Sequence, residues 1–152
     1  MYKKGHSEKL IDISEKNSIL RIATASGKIY LQKETIERIK NKNVKKGDVF
    51  TIAKIAAINA VKKVPDLIPL CHPIPISNIR VDFNYEADNI IRVTCTVKSI
   101  SKTGVEMEAL MGVNIALLNV WDVVKMYEKD SKGQYPITVI TEVKVDEKIK
   151  NI

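Results

Sequence analysis

Two runs near the middle of the chain alternate strictly between apolar and polar residues. Ile79, Val81, Phe83 and Tyr85 point one way against Arg80, Asp82, Asn84 and Glu86; Ile91, Val93, Cys95 and Val97 repeat the pattern against Arg92, Thr94, Thr96 and Lys98. A period of two is that of a strand with one buried face, and Ala87-Asp88-Asn89 between the runs suits a hairpin turn. Two further extended segments stand near the ends. Ile19 to Leu31 carries a Ser26-Gly27 pair that suits a bend or turn, and after Gly133 and Pro136 the residues Ile137, Val139, Val143 and Val145 alternate with Thr138, Ile140, Glu142 and Lys144.

Between these runs the period changes. Lys33 to Lys40 is a short helical candidate, followed by a basic loop from Asn41 to Lys46. Gly47-Asp48 then opens a helix whose apolar positions Val49, Ile52, Ala53, Ala56, Ala57, Ala60 and Val61 keep helical spacing. The longest helix is expected to start at Thr103, with Glu106 three residues on completing a capping box, and to run to about Lys129. Pro65 to Ile76 holds four of the five prolines and reads as neither helix nor regular strand. The order strand, helix, helix, hairpin, helix, strand predicts an α+β fold: a ferredoxin-like antiparallel sheet with helices packed on one face. Residues 1–10 read as a flexible tail and residues 11–152 as a single domain.

Composition narrows this only modestly. At 152 residues, 45% hydrophobic and 28% charged, the chain is ordinary globular material. The N-terminus lacks an apolar stretch of signal-peptide length, and Ala109 to Tyr127 is broken by Asn114, Asn119, Asp122 and Lys125, which a membrane span would rarely carry. Two cysteines cannot build a disulfide framework; Cys95 reads as a small core residue, and a reducing cytoplasm is expected. The net charge of +7 points to anionic partners.

Three segments could carry chemistry. On the long helix Glu108, Gly112, Asn119 and Asp122 fall within roughly 80° of one another, a thin polar stripe on a helix otherwise apolar nearly all round, and Lys125 lies one turn from Asp122. Such a helix is expected to be buried or at a subunit interface, where its carboxylates need partners. Leu67-Ile68-Pro69-Leu70-Cys71-His72-Pro73 is a proline-stiffened loop able to hold an imidazole in one place. Lys46-Gly47-Asp48 stands where a loop becomes a helix, a position that favours anions but lacks the P-loop signature. No pair among Cys71, His72, Cys95 and His6 has zinc-type spacing, so neither a metal site nor a resident cofactor is expected.

Together these strings resemble one family. Lys46-Gly47-Asp48-Val49-Phe50, Asp66-Leu67-Ile68-Pro69-Leu70-Cys71-His72-Pro73, Lys102-Thr103-Gly104-Val105-Glu106-Met107-Glu108-Ala109-Leu110 and Trp121-Asp122-Val123-Val124-Lys125, with the spacing between them, are similar to molybdenum cofactor biosynthesis protein C. The likeness runs from about Leu10 to about Ile140. It implies a cyclic pyranopterin monophosphate synthase, a lyase that takes the cyclic dihydro-GTP made by a radical S-adenosylmethionine GTP cyclase and releases pyrophosphate. It further implies homohexamers, trimers of dimers, with interfacial active sites and no nucleic acid or membrane partner. Carried over position by position, Asp122, Lys46 and Lys125 match the catalytic groups. Leu70, Cys71, His72, Met107 and Glu108 match substrate contacts, and Arg21 matches a basic residue near the triphosphate. The resemblance makes the Glu108–Asp122 stripe one wall of the site, with lysines of lowered pKa as proton carriers.

One departure stands out. The glycine-lysine-rich tail usual in the family is replaced by Thr141-Glu142-Val143-Lys144-Val145-Asp146-Glu147-Lys148, which puts any phosphate-binding lysine there in doubt, with Lys144 or Lys148 as substitutes. Two competing readings are a basic nucleic-acid-binding module, for which exposed sheet aromatics are required, and an inactive scaffold.

Overall fold

The computed structural model of the chain describes residues 7–151; most of the expected tail, residues 1–6 with His6, lies outside the described residues. Four strands, β1 (Ile19–Tyr30), β2 (Asn78–Ala87), β3 (Ile90–Ser101) and β4 (Val139–Asn151), form one antiparallel sheet in the order β2-β3-β1-β4. Helices α1 (Lys33–Lys40), α2 (Val49–Val61), α3 (Val64–Leu67) and α4 (Glu106–Glu128) complete it. This is the expected ferredoxin-like α+β arrangement, with β1 and β3 at the centre.

The sheet register explains the core. Ala23, Ala25, Gly27 and Ile29 of β1 oppose Val97, Cys95, Val93 and Ile91 of β3, which in turn oppose Ile79, Val81, Phe83 and Tyr85 of β2. The small residues of β1 leave a trough in which α4 lies. A Cβ at Gly27 would meet Leu117, Val113 and Val143 at 2.9 Å, and one at Gly112 would meet Cys95 Sγ at 2.5 Å. Close approach of helix to sheet therefore depends on both glycines. Cys95 is fully buried, and burial pushes its thiol up to about 12.

α4 is long and apolar enough, by length and composition, to cross a membrane. Its apolarity is that of a core helix: Val113, Ala116, Leu117, Val120 and Val124 are fully buried among the sheet and α2. Each such Val or Leu contributes about 1.5–3 kcal/mol by leaving water.

Four local expectations change. Ser26-Gly27 is no turn; both residues are buried inside β1, and the irregularity appears instead as register shifts against β4 at Thr24/Ala25 and Ser26/Lys28. α4 starts at Glu106 with Val105 as an uncapped N-cap, not at Thr103. The Thr103 carbonyl accepts from Ser101 Oγ at 2.9 Å, and Glu106 turns away to Lys148 Nζ at 2.5 Å. The proline-rich stretch holds the short α3, with Pro65 at its first turn, where a missing N–H costs nothing. Finally, β4 extends to Asn151 because β1 offers partners as far as Leu20.

Candidate active site

Asp48 caps α2, accepting from the Thr51 backbone N–H at 2.9 Å, and so fixes where the preceding loop, residues 41–48, ends. Gly47 takes a φ of 127° there, a left-handed conformation that suits glycine. The loop delivers Lys46 to α4. Lys46 Nζ lies 3.1 Å from Asp122 Oδ2 and 3.3 Å from the Asp122 carbonyl, while Lys125 Nζ reaches Oδ1 at 2.8 Å. One carboxylate thus orients two ammonium groups. The bonds from Lys125 and then Lys46 hold the Asp122 carboxyl below the ordinary range, and the bond from Asp122 raises Lys125. The expectation of a lowered pKa is corrected for Lys125, whose carboxylate partner outweighs any neighbouring cation. The cluster is open to solvent, with side chains 39–53% exposed.

The other half of the expected site is elsewhere. Leu70, Cys71, His72 and Met107 line a cleft of about 370 Å³ with Lys16, Thr103 and Gly104, and His72 is shared with a second cleft that includes Ser101 and Lys102. Burial and the nearby carboxylates of Glu108 and Glu106 push the Cys71 thiol up, so it is no ready nucleophile. Glu108 is 2% exposed, and its Oε1 has no hydrogen-bond partner among the described residues. Burial, with a further contribution from Glu106, raises its pKa. Arg21 is mostly buried, donating from Nε to the Ser101 carbonyl at 3.3 Å and from Nη2 to that of Lys102 at 3.2 Å, which braces the turn before α4.

The stripe is therefore not one wall. Glu108 and Gly112 face the interior while Asp122 faces solvent, and Glu108 and Asp122 are about 21 Å apart along the axis at 1.5 Å per residue. The expected site residues thus fall into two groups, at opposite ends of α4.

Sequence patterning missed several neighbours of the His72 cleft. Ile11, Asp12, Ile13 and Lys16 come from a stretch without periodicity, and Lys102 reaches back to the Ser14 carbonyl at 3.2 Å. Lys148, from the atypical tail, is placed by β4 beside Glu106 in the first turn of α4. Phe83 stacks on Phe50 of α2 at 4.6 Å, beneath the helices rather than on the open sheet face.

Similar proteins from several organisms share one printed name. "Probable cyclic pyranopterin monophosphate synthase" is the name of a protein of Sulfurisphaera tokodaii that is 56% identical, aligned over 93% of each chain. It is also that of a protein of Archaeoglobus fulgidus that is 55% identical over 93% of this chain and 90% of its own, and of one of Methanosarcina acetivorans that is 52% identical over 93% and 89%. A solved ferredoxin protease in complex with Arabidopsis ferredoxin aligns with 66% of this chain and 10% of its own at a TM-score of 0.35 and 13% identity, too distant to bear on the fold. Residues 10–151, which hold every element from β1 to β4 and both groups of expected site residues, match the MoaC family, and the chain belongs to it.

Proposed function

We propose that the chain is a cyclic pyranopterin monophosphate synthase of molybdenum cofactor biosynthesis, rearranging cyclic dihydro-GTP to cyclic pyranopterin monophosphate with release of pyrophosphate. The observation that carries this reading is the Lys46–Asp122–Lys125 cluster, two cations held by one carboxylate, on a chain more than half identical to proteins bearing that name. Forming the cyclic phosphate joins a sugar oxygen to the α-phosphorus and breaks its bond to pyrophosphate. Both changes need proton transfer beside heavy negative charge. Lys125, held as an ammonium, acts as a proton donor; Lys46 supplies the second nitrogen, and Asp122 aligns both. His72, with Lys16 and Lys102 near it, takes the phosphates by charge-assisted bonds, and Glu108, buried in the free subunit, accepts N–H bonds from the guanine-derived ring only once substrate binding uncovers it.

The separation of the half-sites supports an interfacial site. The outer side of α4 leaves Met107, Leu118 and Met126 exposed, and α2 exposes Ile55. Two copies of α4 packed antiparallel about Ile115 set the Asp122 end of one subunit over the Met107–Glu108 end of the other, an isologous pairing that makes two whole sites. The dimer, and a hexamer built from three of them, belong to this reading, as does supply of the substrate by a radical S-adenosylmethionine GTP cyclase. So do a cytoplasmic setting and roles for Leu70, Cys71 and Arg21 in lining or bracing the substrate pocket.

Incubation of the purified protein with cyclic dihydro-GTP tests the activity: the pterin product and pyrophosphate appear in equal amounts. A Lys46→Ala protein turning over at near wild-type rate would overturn the role of Lys46. Mixing inactive Asp122→Asn and inactive His72→Ala subunits tests the interface. With free exchange, half the dimers are mixed and each has one intact site, so activity returns to about a quarter of wild type. No recovery would place both half-sites' functions within one subunit.

A further inference from the structure

The loop that carries Lys46 sets one of its own residues, Val44, against the core, and the Val44 carbonyl accepts from the Gly47 N–H at 3.1 Å. Between α1 and α2 every position from Asn41 to Asp48 is exposed except Val44, which is half-buried, and Lys42 adopts a φ of 55°. A solvated loop of this kind opens readily unless specific bonds hold it. Three hydrogen bonds tie its second half to α4. Two run from the Lys46 ammonium to the Asp122 carboxylate and carbonyl, and the third runs from the Lys45 backbone N–H to Tyr127 Oη at 2.9 Å. Tyr127 follows Asp122 on the same helix and is itself braced. The Arg38 guanidinium of α1 lies 4.4 Å over its ring. The same Arg38 accepts at its carbonyl from the Asn43 N–H at 2.8 Å, and its Nη1 approaches the Asn43 carbonyl at 3.5 Å. One residue further along α4, the buried Glu128 carboxylate receives the Gln32 N–H and the Thr35 hydroxyl, fixing the start of α1 on the last turn of α4.

From this geometry we infer that Tyr127 is a positioning residue: its hydroxyl latches the backbone next to Lys46 to α4, setting the ammonium against Asp122. The inference rests on the reading in which Lys46 and Asp122 act together on the substrate. The physical reason is entropic. Lysine has four rotatable side-chain bonds, so a lone ion pair in water confines it weakly, whereas fixing the adjacent peptide removes backbone freedom before the side chain is placed. Tyr127 is not among the residues lining either His72 cleft, so the expected route of its effect is the Lys45–Lys46 backbone.

The test is Tyr127→Phe, which keeps the ring and its contact with Arg38 but deletes the acceptor. Four quantities are read on the intact protein: hydrogen exchange at the Lys45 amide, acetylation of Lys46 by a limiting pulse of acetic anhydride relative to exposed Lys132, the thermal midpoint, and kcat and KM on cyclic dihydro-GTP. Expected are lost protection at Lys45, Lys46 acetylation up about three- to tenfold, and kcat down by a similar factor, as for loss of one hydrogen bond, with KM within about twofold. The midpoint stays within about 3 °C. In a Lys46→Ala background, Tyr127→Phe produces no further fall in kcat, which a general structural role would not predict. Unchanged exchange and acetylation overturn the latch whatever the activity does, and an unchanged kcat in an active enzyme overturns its bearing on turnover. A wild-type protein that makes no pterin product defeats the proposed function instead, while the exchange and acetylation results still decide whether Tyr127 places Lys46.

Discussion

Lys46 and Asp122 meet across the α2–α4 boundary by two contacts from one ammonium, to the carboxylate at 3.1 Å and to the backbone carbonyl at 3.3 Å. The carbonyl contact fixes the ammonium along the helix axis, so the pair has a defined geometry despite being open to water. A charge held this way at a solvated surface adds little to folding and is better explained by what binds there.

Asp122→Asn keeps the shape but removes the charge that aligns both lysines. Turnover falls by about 10²–10⁴-fold, the range of a lost acid–base arrangement. The thermal midpoint moves by no more than about 3 °C. Steady-state kinetics beside a melting curve separate the two effects; a large drop in midpoint would recast the cluster as structural.

Glu108 gives a pH signature. Burial raises its pKa above the unfolded value of 4.5, so between that value and the raised one the folded chain holds more protons than the unfolded chain. Stability from this group is therefore greatest below 4.5 and declines as pH rises through the window. Glu108→Gln removes the decline: variant and wild type melt together near about pH 4, and the variant melts higher at neutral pH. A midpoint difference that ignores pH would show that the carboxylate is satisfied in solution, for instance by a partner subunit.

At Gly27 a methyl group has no room. Leu117, Val113 and Val143 surround the position at 2.9 Å, with α4 on one side and β4 on the other. Gly27→Ala costs about 1–3 kcal/mol as an overpacked core does, read as a lower urea midpoint with an unchanged slope. Wild-type stability would mean that the helix rises off the sheet freely.

Glu128, fully buried, gathers the Gln32 N–H at 3.2 Å, the Thr138 hydroxyl at 2.7 Å and the Thr35 hydroxyl, binding α1 and the approach to β4 to the last turn of α4. Glu128→Ala strands those donors and destabilises by at least about 2 kcal/mol in urea unfolding. An unshifted midpoint would remove Glu128 from any account of how α1 is held.

What the sequence revealed depended on whether a signal was local. The hairpin alternation, the Asp48 start of α2 and the Asp122–Lys125 turn are set by neighbours a few residues away, and each stands where its pattern put it. Ser26-Gly27 misled because the glycine answers to Leu117 and Val113, some ninety positions later, rather than to a turn. The Thr103–Glu106 capping box failed for a similar reason: Lys148 takes Glu106. The angular stripe on α4 was correct as geometry on a wheel, but a wheel discards distance along the axis, and that distance divides the candidate site in two. Lys16 sits in a stretch without periodicity and Tyr127 near the end of the long helix outside every motif, so only the folded chain shows whom they touch.

β4 forms one margin of the sheet, and its pairing with β1 slips twice while Glu142 holds a φ of 54°. Beyond that irregularity the strand carries Lys144, Asp146, Glu147, Lys148 and Lys150. A kinked margin crowded with charge is a poor template for another strand. Edge-to-edge stacking of sheets into fibrils is therefore disfavoured at this margin.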